Sequence, residues 1–149
     1  MRRALVIFFT GLCLAFLATG CTPGEDPEAK TGLGDRNNTT RQFTLPSKNI
    51  GCLVTADSAR CDISDKQWKP PAKPDDCEQA WGNGVTVTAD GATLVCAGDT
   101  VMGAAEILDY GKAVQVGQFV CTSASAGIRC THAPSGHGFT LARAEYTTF

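Results

Sequence analysis

The chain has no C-x-x-C pair, only two histidines (His132 and His137), and few aromatic residues, 7% of its length. The missing C-x-x-C, with so little histidine, excludes zinc-ligand spacing and a thioredoxin-like redox centre. There is no G-x-S-x-G nucleophile elbow, no Gly-rich phosphate loop, no dinucleotide fingerprint and no carboxylate pair at a glycosidase-like spacing. No cofactor is therefore expected, and no enzyme class is pointed to. A basic excess is also missing: 13 Lys and Arg stand against 15 Asp and Glu, a formal charge of −2. Phosphate binding needs a basic face, so nucleic acid is not the partner expected.

What is present begins at the N-terminus. "MRRALVIFFTGLCLAFLATGC" has Arg2 and Arg3 as a positive start, a 14-residue apolar stretch from Ala4 to Leu17, then Ala18-Thr19-Gly20 before Cys21. This is the layout of an export signal. The stretch is short for a bilayer-spanning helix, which needs about 20 residues. An uncleaved anchor helix is the alternative, but no charge cluster follows to stop transfer. Small residues followed by Cys resemble a bacterial lipobox, with Ala18 where Leu is usual. That resemblance implies cleavage after residue 20 and lipid on the Cys21 thiol. Two or more acyl chains anchor stably where one does not. Loss of Arg2 and Arg3 with residues 1–20 leaves 11 basic residues against 15 acidic ones, a formal charge of −4.

The cysteines agree with export. Cys13 leaves with the signal, and a lipidated Cys21 leaves six: Cys52, Cys61, Cys77, Cys96, Cys121 and Cys130. An even number suits a disulfide framework in an oxidising compartment. Eight residues separate Cys52 from Cys61, and eight separate Cys121 from Cys130. In an antiparallel hairpin an even spacing places the two ends opposite each other, with side chains on one face, close enough for a disulfide. Cys52–Cys61 and Cys121–Cys130 are thus predicted to clamp hairpins, and Cys77–Cys96 follows by elimination. Each closed loop is worth about 3 kcal/mol in the chain-entropy model.

The expected organisation is a signal at 1–20, the lipidated Cys and a disordered tether at 21–41, and a domain at 42–149. "TPGEDPEAKTGLGDRNNTTR" has no apolar period, and a flexible run of this length spans about 25 Å r.m.s.. In the domain, "QFTLPSKNIGCLVT" reads as an interrupted strand and "ARCDI" as its hairpin partner. "QWKPPAKPDDC" is a Pro-rich loop. In "VTVTADGATLVC", two alternating runs flank Asp90-Gly91, which predicts a type I′ hairpin turn. "FVCTSASAGIRCTH" is a further hairpin, and "HGFTLARAEY" a last strand running into a helical turn. "AAEIL" (104–108) is at most one helical turn. The fold class is all-β, a small disulfide-clamped sandwich or open barrel of antiparallel hairpins. "IGCLVTADSARCDI" and "FVCTSASAGIRCTH" also match each other, with Arg60 and Arg129 each just before the second Cys. Convergent hairpin chemistry is the plainer account of that match, and duplication the other.

"FTLPSKNIGC", "RCDI", "WKPP", "CAGDTV", "YGKAVQVGQFVC" and "GHGFTLAR" together resemble an uncharacterised family of small actinobacterial exported proteins and lipoproteins, a domain of unknown function. The resemblance covers about residues 43–149. It implies an exported envelope domain with paired cysteines, and no catalytic residue is carried over from it.

Candidate sites are few. Ser135 and His137 in "SGHGF", with Asp99 or Asp109, have the types of a nucleophile, a base and an orienting acid. A His flanked by glycines more often marks a tight bend. Asp99 in "CAGDTV" has the character of a turn cap. Trp68, Trp81 and Tyr110 could form a ligand or glycan platform, although in a chain this poor in aromatics such residues are more often the core. The leading expectation is a non-enzymatic lipoprotein on the outer face of the cytoplasmic membrane, with an envelope protein or glycan as partner. A small hydrolase using His137 and a carrier of an apolar ligand are the alternatives.

Overall fold

The computed structural model describes residues 40–149, so the signal, Cys21 and nearly all of the expected tether lie outside the described residues. The described residues form ten strands and no helix. Strands β1 (Arg41–Thr44), β2 (Ile50–Val54), β3 (Ala59–Ile63), β4 (Ala80–Val87) and β5 (Ala92–Ala97) make the first sheet, in chain order. The second sheet is made by β6 (Ala113–Val116), β7 (Phe119–Ala124), β8 (Gly127–His132), β9 (Gly138–Ala142) and β10 (Tyr146–Thr148), again in chain order. Every adjacent pair is antiparallel. The domain is thus two five-stranded meanders packed face to face.

The alternation of the sequence selects the inner faces. Phe119, Cys121 and Ser123 of β7 and Ile128, Cys130 and His132 of β8 point inward and are buried. Cys52 sits opposite Cys61 and Cys121 opposite Cys130, each pair with Cα atoms 4.1 Å apart and bonded. Cys77 and Cys96 form the third disulfide, which ties the Pro-rich loop to β5. The first two are the pairs that the even spacing predicts, and the third is the one left by elimination. The two hairpin disulfides meet where the sheets pack, with 3.7 Å between Cys61 Sγ and Cys130 Sγ. Phe43, Val54, Val85, Phe119, Phe139 and Leu141 fill the space around them, all fully or almost fully buried.

The resemblance between the two hairpins extends to the whole sheets, further than hairpin chemistry requires. Phe43 lies beside Cys52 and Val85 beside Cys61. In the second sheet Val114 lies beside Cys121 and Phe139 beside Cys130. The large and small partners are exchanged, so each disulfide row keeps one of each. Thr86 pairs with Thr93 as Thr140 pairs with Thr147. Gly84 and Gly138 are also equivalent. A Cβ at Gly84 would lie 2.4 Å from the Cys61 carbonyl oxygen, and one at Gly138 would lie 2.5 Å from that of Cys130. Both positions exclude a side chain for the same backbone reason. The match between the two hairpins thus extends to the registers of both sheets.

Four local expectations are corrected. The domain's first strand begins at Arg41, a residue earlier than expected. The β4–β5 turn is not type I′, because Asp90 does not take the positive φ that such a turn needs. Residues 88–91 form a four-residue loop instead, in which the Thr88 N–H donates to the Gly91 carbonyl (2.9 Å) and the Asp90 N–H to Thr88 Oγ1 (3.3 Å). The chain after β9 turns back as β10 rather than as a helical turn. "AAEIL" is extended: Thr44 N–H donates to Glu106 O (2.8 Å), and Leu108 N–H donates to Thr44 O (3.0 Å). The exposed backbone of edge strand β1 takes this segment's hydrogen bonds, and a lone helical turn cannot compete.

That segment is part of a strap, residues 98–108, which leaves β5 and crosses the outer face of the first sheet back to β1. Gln42 Nε2 donates to Val101 O (3.1 Å), Thr44 Oγ1 to Ala104 O (3.1 Å), and Arg41 pairs with Glu106. Over β2 the strap rests on Gly51, where a Cβ would lie 2.9 Å from Met102 Cα.

Candidate functional site

The densest polar cluster lies where the strap begins. Arg60 and Asp62 are two residues apart on β3, so both project from the outer face. Asp62 is buried, at 4% exposure, and its carboxylate accepts four hydrogen bonds. Arg60 supplies two, from Nε to Oδ1 (3.0 Å) and from Nη2 to Oδ2 (2.9 Å). Thr100 Oγ1 (3.0 Å) and the Val101 N–H (3.1 Å) supply the others, both to Oδ2. Gly84 across the ladder leaves room for this carboxylate, since a Cβ there would lie 2.3 Å from Oδ1. The rest of the guanidinium faces Asp99: Nη1 donates to Oδ1 (2.9 Å) and Nη2 to the backbone carbonyl (3.0 Å). One cation thus serves two carboxylates, and the cluster carries a net negative charge.

Asp99 is the solvent-facing member, its side chain 76% exposed. Hydrogen bonding from Arg60, and then its positive charge, hold the Asp99 carboxyl below the usual carboxylate range. It is therefore an anion at neutral pH, ready to accept. A cavity of about 460 Å³ opens beside it, lined among others by Ser64, Asn83, Gly98 and Thr100. An irregularity in the β4–β5 register between Trp81 and Val85 sets Asn83 on its wall. Such a cavity suits a ligand that donates hydrogen bonds. It holds a carboxylate whose charge is already engaged, not a nucleophile with a base.

Of the residues singled out in the sequence, Asp99 is the one that borders this cavity, where its carboxylate accepts from Arg60. "RCD" sets opposite charges at strand period and so pairs Arg60 with Asp62, but nothing local connects Arg60 to a loop 39 residues away. Trp68 and Trp81 are partly buried against the core. Trp68 packs against Tyr146 with centroids 4.5 Å apart and ring planes tilted by 49°, and donates from Nε1 to the Ala142 carbonyl (3.0 Å). Trp81 Nε1 donates to the Pro71 carbonyl (3.1 Å), and Trp81 and Tyr146 share a shallow hollow of about 220 Å³. Tyr110 stands apart from them, beside Lys48 and Arg143. The three expected aromatics therefore make no single platform, and the ring joining the two tryptophans is Tyr146.

The histidine that meets Ser135 is His132, not His137. His132 Nδ1 lies 2.8 Å from Ser135 Oγ, and Nε2 lies 3.1 Å from Gln118 Oε1. The amide oxygen only accepts, so in the neutral imidazole the proton sits on Nε2 and Nδ1 accepts from the hydroxyl. His137 contributes backbone: its N–H donates to Ser135 Oγ (3.3 Å), and its carbonyl accepts from the His132 N–H (2.8 Å). Neither Asp99 nor Asp109 joins this cluster: Asp99 is held by Arg60, and the Asp109 carbonyl accepts from the Lys112 N–H (3.1 Å). Gly136, at φ 74°, makes the bend that returns Ser135 over His132. An apolar ligand inside the domain would need a void between the sheets, and that space is taken by the disulfides and the phenylalanines.

The chain belongs to a family of unknown function, DUF6636, whose family model matches residues 34–149. No curated protein and no solved structure matches it.

Proposed function

We propose that this member of the DUF6636 family is a lipid-anchored, non-enzymatic binding protein of the cell envelope. Cys21 carries the lipid at the outer face of the cytoplasmic membrane, and residues 22–40 space the β domain from the headgroups. The observation that carries the reading is the cysteine account of the domain. Its three disulfides use all six cysteines from Cys52 to Cys130, so Cys21 finds no partner in the domain. The cavity beside Asp99 is the binding surface, for a protein or glycan of the envelope whose hydroxyl or amide groups donate to the carboxylate and to its polar rim.

Cys21→Ser is expected to abolish metabolic lipid labelling and to move the protein from the membrane to the soluble fraction, with its three disulfides intact. Unchanged labelling and fractionation would sink the reading.

One observation favours a second reading, a small hydrolase: the exposed Ser135 hydroxyl bonded to His132, with Gln118 behind it. A binding protein is expected to leave a fluorophosphonate serine probe unreacted. Labelling of Ser135 that disappears in His132→Gln would replace the binding reading with the hydrolase.

A further inference from the structure

The two sheets share their registers and several of their residues, yet the strap covers the outer face of only one of them. On the first sheet the strap lays Asp99 on Arg60 and runs on over β3, β2 and β1. The equivalent residue of the second sheet is Arg129, set between Thr122 and Thr140 as Arg60 is set between Leu53 and Thr86. Its surroundings differ in charge. Thr131 stands where Asp62 does, and Arg129 makes no ion pair among the described residues. Its guanidinium lies over the Phe149 ring, 4.2 Å from the centroid, and is exposed. Stacking orients a guanidinium while leaving its N–H edge free for a carboxylate.

Beside Arg129 runs an open groove of about 490 Å³, lined mainly by carbon from Thr122, Ala124, Ala126, Thr140 and Ala142. Their side chains are short, so a backbone can lie close to the sheet, as the strap lies on Gly51. Glu145 lines the groove as well.

We infer that the outer face of the second sheet is a docking surface for an extended acidic segment of a partner protein. Its carboxylate takes Arg129 as Asp99 takes Arg60, and its small apolar side chains fill the groove. A peptide is favoured over a polyanion on two grounds. The covering of the equivalent face is itself a peptide, and the groove offers one cation in an apolar trough. Glu145 repels further negative charge, so the segment carries one acid flanked by apolar residues, with that acid lying toward Arg129. This site is separate from the cavity at Asp99 and stands or falls independently of it.

The test is a phage-display selection of random dodecapeptides on the full, disulfide-bonded chain, followed by calorimetric titration of the selected peptides. The expected result is a consensus with one Asp or Glu among small apolar residues. Its affinity should fall about tenfold or more in Arg129→Gln, in Ala142→Glu, and when the peptide acid becomes its amide. Both variants change exposed or half-exposed positions, and an unchanged melting temperature confirms that each is folded. Failure to enrich a consensus, or a consensus that binds Arg129→Gln as well as the parent, overturns the inference. So does a selected peptide that loses affinity only when the residues at the Asp99 cavity are changed.

Discussion

Replacing Asp62 with Ala is expected to lower the unfolding free energy by about 3–5 kcal/mol, the usual cost of removing one partner from a buried ion pair. The reason is what stays behind. The Arg60 side chain is only 18% exposed, so its guanidinium cannot rehydrate fully, and it keeps only the exposed Asp99. The Thr100 hydroxyl and the Val101 N–H lose their acceptor, and an unsatisfied buried donor costs about 1–3 kcal/mol. Because Thr100 and Val101 lie near the start of the strap, the loss should loosen residues 98–108 before the sheets themselves open. The measurement is urea unfolding with hydrogen exchange, in which the amides of the strap and β1 lose protection first. Asp62→Asn keeps the shape and removes the charge, so its loss should be smaller. A loss below about 1 kcal/mol for Asp62→Ala would place the pair with ordinary surface ion pairs and remove the strap's anchor.

The second large effect concerns the disulfides at the centre. Removing Cys52–Cys61 or Cys121–Cys130 by double alanine substitution is expected to cost about 3 kcal/mol in chain entropy, and more through lost packing. All four of these cysteines are fully buried, and the two bridges touch through Cys61 and Cys130. Cys77–Cys96 closes the longer loop but lies at the margin, with Cys77 buried and Cys96 exposed, so its removal should cost mainly the entropic part. Removing both central bridges should show an interaction of about 0.5–3 kcal/mol, because contacting groups are not independent. A double-mutant cycle in guanidinium checks this. Strict additivity of the two central bridges would mean that their contact carries no packing energy.

The hairpins were legible because their chemistry is local. An even cysteine spacing, a two-residue apolar period and turn residues all act within about a dozen positions, and β2–β3 and β7–β8 formed where those signals lay. The strap was not legible, because its contacts are distant. The residues of "AAEIL" favour a helix over such a short span, and the unpaired edge of β1 overrides that preference. The repeat between the sheets was visible only at its hairpins. Gly84-Val85-Thr86-Val87 and Gly138-Phe139-Thr140-Leu141 are equivalent, but the first lies 23 residues after Cys61 and the second 8 after Cys130. The Pro-rich loop inserted between β3 and β4 hides the common register. The histidine was misassigned for a geometrical reason. Strand period pairs Ser135 with His137, whereas the bend at Gly136 folds Ser135 back onto His132.

Cys21 and the six domain cysteines can be read together in one experiment. The protein is purified from the membrane fraction, alkylated without reduction, and its mass measured intact and after proteolysis. The expected chain begins at Cys21 and carries the mass of its acyl groups, with no alkylated thiol before reduction and six after it. A chain that begins elsewhere, or one thiol at Cys21 that alkylates before reduction, would contradict lipidation at Cys21.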